Sequence, residues 1–318
     1  MSEKHHLRKA GWLLTAGAVA GIAIGFLFRR RIAARLDRRP GGSKTVETAF
    51  GTVEYAVAGA GEPVLVVHGA SGGFDQGLHV AAPLADKGCY LIAPSRFGYL
   101  GSGVPENPTP AAQADAFAKL LDRLGIRHTV VLAVSAGAWS ALQFAVRHPA
   151  RCRALVLMVP ATTLPPGVRM YGGLMARTLY RSNLLGWMIV RLAAAFPKLA
   201  AVLLATPAAI LEAASGKEKR RIRQMLDDIL PVRAHAEGMT LDLAAAQAGD
   251  ALPVKKIGCP VLAISAEDDA FQTAARAREI AQTAPKGTAI VYPTGGHLLV
   301  GRQETVIDEV VSFLARLN

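Results

Sequence analysis

Cysteine is nearly missing from this chain: Cys89, Cys152 and Cys259 are the only three in 318 residues. An odd, scattered set excludes a disulfide framework and offers no ligand spacing for zinc. All three fall in or beside predicted strands, where a buried free thiol behaves as a small apolar side chain. Aromatic residues are scarce too, at 6% against 51% hydrophobic, so the core is predicted to be aliphatic. The glycine turn after the first buried strand has neither a Gly-Lys-Ser/Thr ending nor a dinucleotide fingerprint, which removes the common phosphate and dinucleotide sites. Internal repeats and low-complexity tracts are absent. Acidic residues are few, and the formal charge is +12. Residues 1–45 hold ten Lys/Arg and two acids, which is +8 of that total. The rest of the chain carries only about +4, with no interleaving of basic and aromatic residues, so no nucleic-acid partner is expected.

Residues 11–28, GWLLTAGAVAGIAIGFLF, contain no charge. At about 1.5 Å per residue they reach roughly 27 Å, enough to cross a bilayer core. The basic stretch RRRIAARLDRR follows at once, with no small-residue cleavage site between, so an uncleaved single-pass anchor in the lipid bilayer is expected. More Lys/Arg follow the run than precede it, which predicts a cytoplasmic body. Gly17, Gly21 and Gly25 recur every four residues, a spacing that suits helix-mediated self-association or simply the small-residue content of such helices. Residues 40–44, PGGSK, form the joint.

The remaining chain alternates strand and helix. Two short strands near residues 45–59, with Gly51 at their turn, are predicted to form an antiparallel edge hairpin. Continuous apolar runs at 63–67, 89–94, 128–134, 154–159, 260–265 and 289–292 predict strands buried on both faces. Helical periods fall near 76–87, 111–124, 136–147, 272–283 and 303–316. This alternation predicts an α/β fold with a mainly parallel sheet between two helix layers. Residues 161–250 break the rhythm with apolar and amphipathic helices and no strand. They are expected to form a helical lid inserted between two halves of the core, 46–160 and 251–318, with 1–45 as the anchor. Residues 199–211 are apolar enough to suit association of the lid with a membrane surface.

Four pieces carry chemistry. In VLAVSAGAWS, Ser135 lies between small residues where a buried strand meets a helix. A tight turn there lifts a hydroxyl out of the sheet, and the helix N-terminus points amides at developing negative charge. Ala133 stands where such turns usually open with glycine. In GGHLLVG, His297 follows the last strand in a loop able to carry imidazole over the sheet edge. The other seven histidines sit in the tail, on helices, in the lid or beside surface loops, and His68 is read as structural. In ISAEDDAF, Glu267, Asp268 and Asp269 offer a carboxylate to orient the imidazole, and spacing does not choose among them. In HGASGG at 68–73, the turn offers a backbone amide near Ala70, which with that of Ala136 forms a candidate oxyanion hole.

The ordered set HGASGG, APSRFGYLGSG, the Ser135 turn, RHP, SAEDD and GGHLLVG resembles the alpha/beta-hydrolase fold family over residues 46–318. The resemblance implies Ser135 as nucleophile, His297 as base and Asp269 as its partner, with Asp268 in reserve. Asp269 follows from the likeness of residues 266–269 to the family's Gly-x-x-Asp turn. The resemblance also implies a helical cap at residues 161–250 and chemistry that needs neither cofactor nor metal. Serine at 135 argues against the family's dehalogenases and epoxide hydrolases, whose nucleophile is aspartate. The expected function is hydrolysis of a carboxylic ester or related acyl substrate, small and apolar or ring-containing. The alternatives are a carbon–carbon bond hydrolase of ring-cleavage products, an acyltransferase or cofactor-free peroxidase, and a non-catalytic membrane-anchored binding protein. A dienoate substrate of the second class would need a cationic partner, for which Arg169, Arg177 and Arg191 are candidates.

Overall fold

The computed structural model describes residues 17–32, 42–162, 180–248 and 253–317. Residues 1–41 and 42–318 form two separate compact units. In the first, residues 17–32 form helix α1, on which Val19, Ile22, Phe26 and Leu27 are exposed. Residues 11–16 of the apolar run lie outside the described residues. Among the described residues no single helix is long and apolar enough to cross a membrane, although one bent helix pair in the lid passes that test jointly.

The second unit is built on one eight-stranded sheet. Strands β1 (Lys44–Thr48), β2 (Gly51–Gly59) and β3 (Glu62–Val67) lead into α2 (Phe74–Ala85) and β4 (Cys89–Pro94). Then come α3 (Pro110–Arg123), β5 (Thr129–Val134), a 3-10 turn at Ser135–Gly137, α4 (Ala138–Arg147) and β6 (Cys152–Met158). The sheet order is β1-β2-β4-β3-β5-β6, continuing to β7 (Val261–Ala266) and β8 (Gly287–Tyr292). The β1–β2 and β2–β4 pairs are antiparallel and every other pair is parallel, as the alternating pattern requires. The period of two along each strand divides the core. Leu65, Val67, Val131 and Ala133 face α3 and α4, and Val64, Val66, Val130 and Leu132 face the opposite layer with α2.

Between β6 and β7 the described chain contains only helices. These are α5 (Asn183–Ala195), α6 (Pro197–Leu204), α7 (Ala208–Ala213), α8 (Gly216–Asp227) and α9 (Ala236–Ala248). They carry their own apolar cluster, including Val190, Leu204, Ile222 and Leu226, which confirms an inserted helical region. The sheet half then resumes with β7, α10 (Thr273–Thr283), β8 and α11 (Gln303–Ala315). Cys89 and Cys152 are buried and Cys259 is half-buried, with the Cys152 and Cys259 sulfurs 3.6 Å apart and both thiols free.

Candidate active site

The strand-to-helix turn after β5 holds Ser135 at φ 52°, a left-handed conformation that costs a non-glycine residue about 1–2 kcal/mol. Tight packing imposes it. A Cβ on Gly137 would lie 2.6 Å from the His68 carbonyl oxygen and 2.7 Å from that of Val67, so only glycine fits there. The turn begins as 3-10 backbone before α4, a refinement of the single helix expected from residue 136. It presents the Ser135 Oγ at the carboxyl end of the central strands, where loops of an α/β sheet converge.

Two further loops meet it there. His297, in the loop between β8 and α11, sets its Nε2 2.8 Å from the Ser135 Oγ. Its Nδ1 lies 2.8 Å from Oδ2 of Asp269, in the loop after β7. A carboxylate only accepts, so Nδ1 carries the proton and Nε2 is left to accept from the serine hydroxyl. The Asp269 side chain is fully buried. Its second oxygen accepts from the Phe271 N–H at 2.8 Å, and the Thr273 hydroxyl donates to Oδ2. The Phe271 ring stands edge-on to the His297 ring, 4.9 Å between centroids. Asp268 has another partner set: it accepts from the N–H groups of Gly295 and Gly296 at 3.3 and 2.8 Å, which ties the acid loop to the histidine loop. The two adjacent acids that spacing left unresolved therefore face different partners.

The loop after β3 closes the fourth side. The Gly69 N–H donates to Gln76 Oε1 at 3.0 Å, and the Gly69 carbonyl accepts from His68 Nδ1 at 2.7 Å and from Arg96 Nη2 at 3.1 Å. Gly69 packs so near the nucleophile that a Cβ there would lie 3.2 Å from the Ser135 Cβ. Ala70 and Ala136, from the two turns that flank the serine, both line the cavity beside it. His68 is fully buried, and its Nε2 accepts from the Arg96 N–H at 2.8 Å. Burial, and after it the nearby Arg96 charge, hold this imidazole well below its ordinary value, so it stays neutral.

The lid grips both sides of this assembly. Arg96 reaches Asp242 on α9 through both terminal guanidinium nitrogens, at 2.5 and 2.7 Å, and Tyr99 donates to the same carboxylate at 2.5 Å. Burial alone would pull the Arg96 charge down, but Asp242 and Tyr99 more than offset it and the group remains ionised. His235 donates from Nδ1 to the Gly72 carbonyl at 2.9 Å. On the other side, the Ala205 carbonyl at the end of α6 accepts from the N–H groups of Ala270 and His297, at 3.2 and 3.3 Å. The Leu298 N–H donates to the Thr206 hydroxyl at 3.2 Å. The Ala205 carbonyl is a main-chain group, so nothing in the local sequence of the lid marks its two bonds.

Ser135 and His297 open into a cavity of about 150 Å³. Its far wall comes from the lid, with Ile189, Val190, Leu203, Leu204, Met225 and Ile229 contributing only aliphatic surface. Tyr180 and Ser71 share a short hydrogen bond at its edge, and Ser71 also donates to Met239 Sδ at 3.3 Å. Apart from His297, no ionisable side chain that could balance a carboxylate lines the cavity among the described residues. Arg191 does not line it, and its guanidinium pairs with Asp227 on α8. Arg169 and Arg177 lie outside the described residues. Among the described residues no cluster of His, Cys, Asp and Glu is arranged to hold a metal ion.

Comparison with known proteins gives a consistent picture. Residues 62–301 match the family described as alpha/beta hydrolase fold. An uncharacterized hydrolase of Bacillus subtilis (strain 168), YcgS, is 28% identical over 269 residues, spanning 80% of this chain and 92% of its own. A 2-hydroxy-6-oxo-6-phenylhexa-2,4-dienoate hydrolase of Comamonas testosteroni is 31% identical over 113 residues, only 34% of this chain and 40% of its own. Among solved structures, an alpha/beta hydrolase fold protein from Nakamurella multipartita superimposes with a TM-score of 0.69 at 27% identity, covering 86% of this chain and 99% of that one.

Proposed function

The chain belongs to the alpha/beta hydrolase fold family, and on that premise we propose that it is a serine hydrolase of neutral apolar esters, with Ser135, His297 and Asp269 as its triad. The observation that carries the reading is the series Ser135–His297–Asp269, with both links at 2.8 Å, on the floor of an aliphatic cavity. The steps follow from the geometry. His297 Nε2 takes the hydroxyl proton as Ser135 Oγ bonds to the ester carbonyl carbon. Asp269 holds the ring tautomer and stabilises the imidazolium. The oxyanion is received by the Ala70 and Ala136 amides. Collapse expels the alcohol oxygen, which takes the proton from His297, and leaves an acyl-serine. Water then loses a proton to His297 and attacks the acyl carbon, and release of the carboxylic acid returns the proton to Ser135.

A carbon–carbon hydrolase is the second reading, favoured by the partial likeness to a dienoate hydrolase. A dienoate carries a carboxylate, and burying one without a partner costs several kcal/mol. The aliphatic lining and the Asp227-paired Arg191 favour the ester.

The run at 11–28 serves in this proposal as a single-pass anchor in the lipid bilayer. The body, 46–160 and 251–318 with the lid 161–250 between them, lies on the cytoplasmic side. The recurrence of Gly17, Gly21 and Gly25 every four residues supports a role in helix pairing. Extraction of membranes with alkaline carbonate should leave the chain in the pellet; release into the supernatant would remove the anchor.

The test of the chemistry is mass-spectrometric mapping of a fluorophosphonate adduct on the full chain. The adduct is expected on Ser135 and should be lost in His297→Ala. A folded protein that forms none, even with an opened lid, would leave the binding-protein class in its place.

A further inference from the structure

The bent lid pair α5–α6 has two apolar faces. The inner one, with Ile189, Val190, Leu203 and Leu204, walls the cavity. The outer one is solvent-exposed: Leu184, Met188 and Leu192 recur at four-residue intervals along α5 and are 38%, 37% and 47% exposed. Phe196 at the bend is 59% exposed and Val202 on α6 is 51% exposed. The two helices meet at 118°, so the bend turns Phe196 into a protruding apolar corner. Apart from α1, these five make up all the large exposed hydrophobic side chains among the described residues. A stripe of this kind on a soluble face has an unfavourable hydration cost unless something covers it.

The charges around the stripe choose the cover. Of the described residues 180–211, Arg181, Arg191 and Lys198 are basic and none is acidic, and Arg191 is paired with Asp227 on α8. Arg181 and Lys198, which bracket α5, are exposed. A protein partner or a second copy would need acidic groups opposite them, and this stretch offers none to an identical stretch. An anionic phospholipid surface supplies both a negative layer and an apolar interior. We infer that the outer face of α5–α6 docks on an anionic bilayer, with Leu184, Met188, Leu192, Phe196 and Val202 entering the acyl boundary and Arg181 and Lys198 at the headgroups. The contact is separate from the run at 11–28. It sets the lid that walls the cavity directly against lipid, so that only the thickness of α5 separates membrane from cavity. The inference goes beyond the hydrolytic reading and stands without it.

The test places an environment-sensitive fluorophore on Leu192→Cys in the full chain carrying Cys259→Ser, at one copy per lipid nanodisc. Discs are made of phosphatidylglycerol or phosphatidylcholine, each with an acyl-chain spin-labelled lipid as quencher. The same label on Glu106→Cys, an exposed site on the core, is the reference. The inference expects strong quenching at position 192 and little at 106 in phosphatidylglycerol. Quenching at 192 should weaken severalfold in phosphatidylcholine, and also in phosphatidylglycerol when Arg181→Gln and Lys198→Gln are added. No quenching at 192, or equal quenching at 106, would overturn it. A blue-shifted but unquenched label would assign the face to the chain's own residues, and a shift confined to two-copy discs would assign it to a second copy; each of these also overturns it. None of the substituted positions lines the cavity, and an unchanged melting temperature verifies the fold of each variant.

Discussion

At the residue scale the neighbouring acids divide the labour, and substitution separates them. Asp269→Asn keeps the shape of the side chain but presents an amide to His297 Nδ1. The ring can then settle in the wrong tautomer, and the expected loss in kcat is roughly 10⁴-fold with little change in melting temperature. Asp268→Asn removes charge from an acceptor of two loop amides, so its effect should fall on stability, at about 1–3 kcal/mol, with a small loss in rate. Steady-state kinetics and thermal melts on the pair decide this, and the reverse ranking would exchange the roles. Ser135 and His297 were legible because a strand-turn-helix junction and a post-strand glycine loop leave local marks. The choice between Asp268 and Asp269 was not, since the direction of each side chain in a loop depends on what packs above it.

His68 carries a second consequence at this scale. Its folded form is neutral because burial, then Arg96, depress its proton affinity. Below about pH 6.5 the unfolded chain binds a proton at this residue that the folded chain refuses. Stability therefore falls as pH falls, by up to about 1.4 kcal/mol per pH unit for that proton, until the folded imidazole itself protonates. Melting temperatures taken downward from pH 8 should begin to decline near that point, and less steeply in His68→Gln even though the variant starts lower. Equal slopes would mean that another group drives the acid response.

At the element scale the lid is a structural member of the site as well as its cover. Arg96 and Asp242 are both almost fully buried, and their pair joins α9 to the loop that holds Gly69. Asp242→Ala strands a buried guanidinium, so a loss of about 3–5 kcal/mol is expected, read as a lower denaturant midpoint. A loss under 1 kcal/mol would show that solvent reaches Arg96 freely. On α8, Glu218 accepts from the Gly301 N–H at 3.0 Å and pairs with Arg221, which in turn donates to the Leu298 carbonyl. Burial pushes the Glu218 carboxyl up, but Arg221 and the Gly301 amide outweigh it and leave it below the usual range. This clamp on the histidine loop is thus complete above the ordinary carboxylate range and is lost as acid finally protonates it. The strands and the order of the helices were readable from period and length. The bonds from the lid to the Asp269 and His297 loops were not, because the Ala205 carbonyl that accepts from Ala270 and His297 is a main-chain group with no sequence signature. The Arg96–Asp242 pair was not, because its partners lie far apart in the chain and no local pattern joins them.

At the scale of the whole molecule, substrate choice is a property that no single element holds. The cavity takes its floor from the core loops after β3, β5, β6, β7 and β8 and its walls from α5, α6 and α8, so its selectivity reflects how lid and core meet. Two terms set the expected pattern. Each methylene buried in an aliphatic wall contributes about 0.8 kcal/mol, close to fourfold in kcat/KM, until the space is filled. A carboxylate placed on the same acyl chain loses its hydration against Ile189, Leu203 and Leu204, with no Lys or Arg lining the cavity among the described residues to receive it, a cost of several kcal/mol. A panel of esters sharing one leaving group should therefore show kcat/KM rising with acyl length to a maximum and then falling. The chain ending in a carboxylate should be poorer than its neutral counterpart by at least about 100-fold. Leu204→Ala, which enlarges the wall without touching Ser135, His297 or Asp269, should move the maximum to longer chains and leave the discrimination against charge intact. If the carboxylate-bearing ester were preferred, a cationic group would have to reach the cavity, and the carbon–carbon hydrolase reading, with its dienoate, would displace the neutral ester.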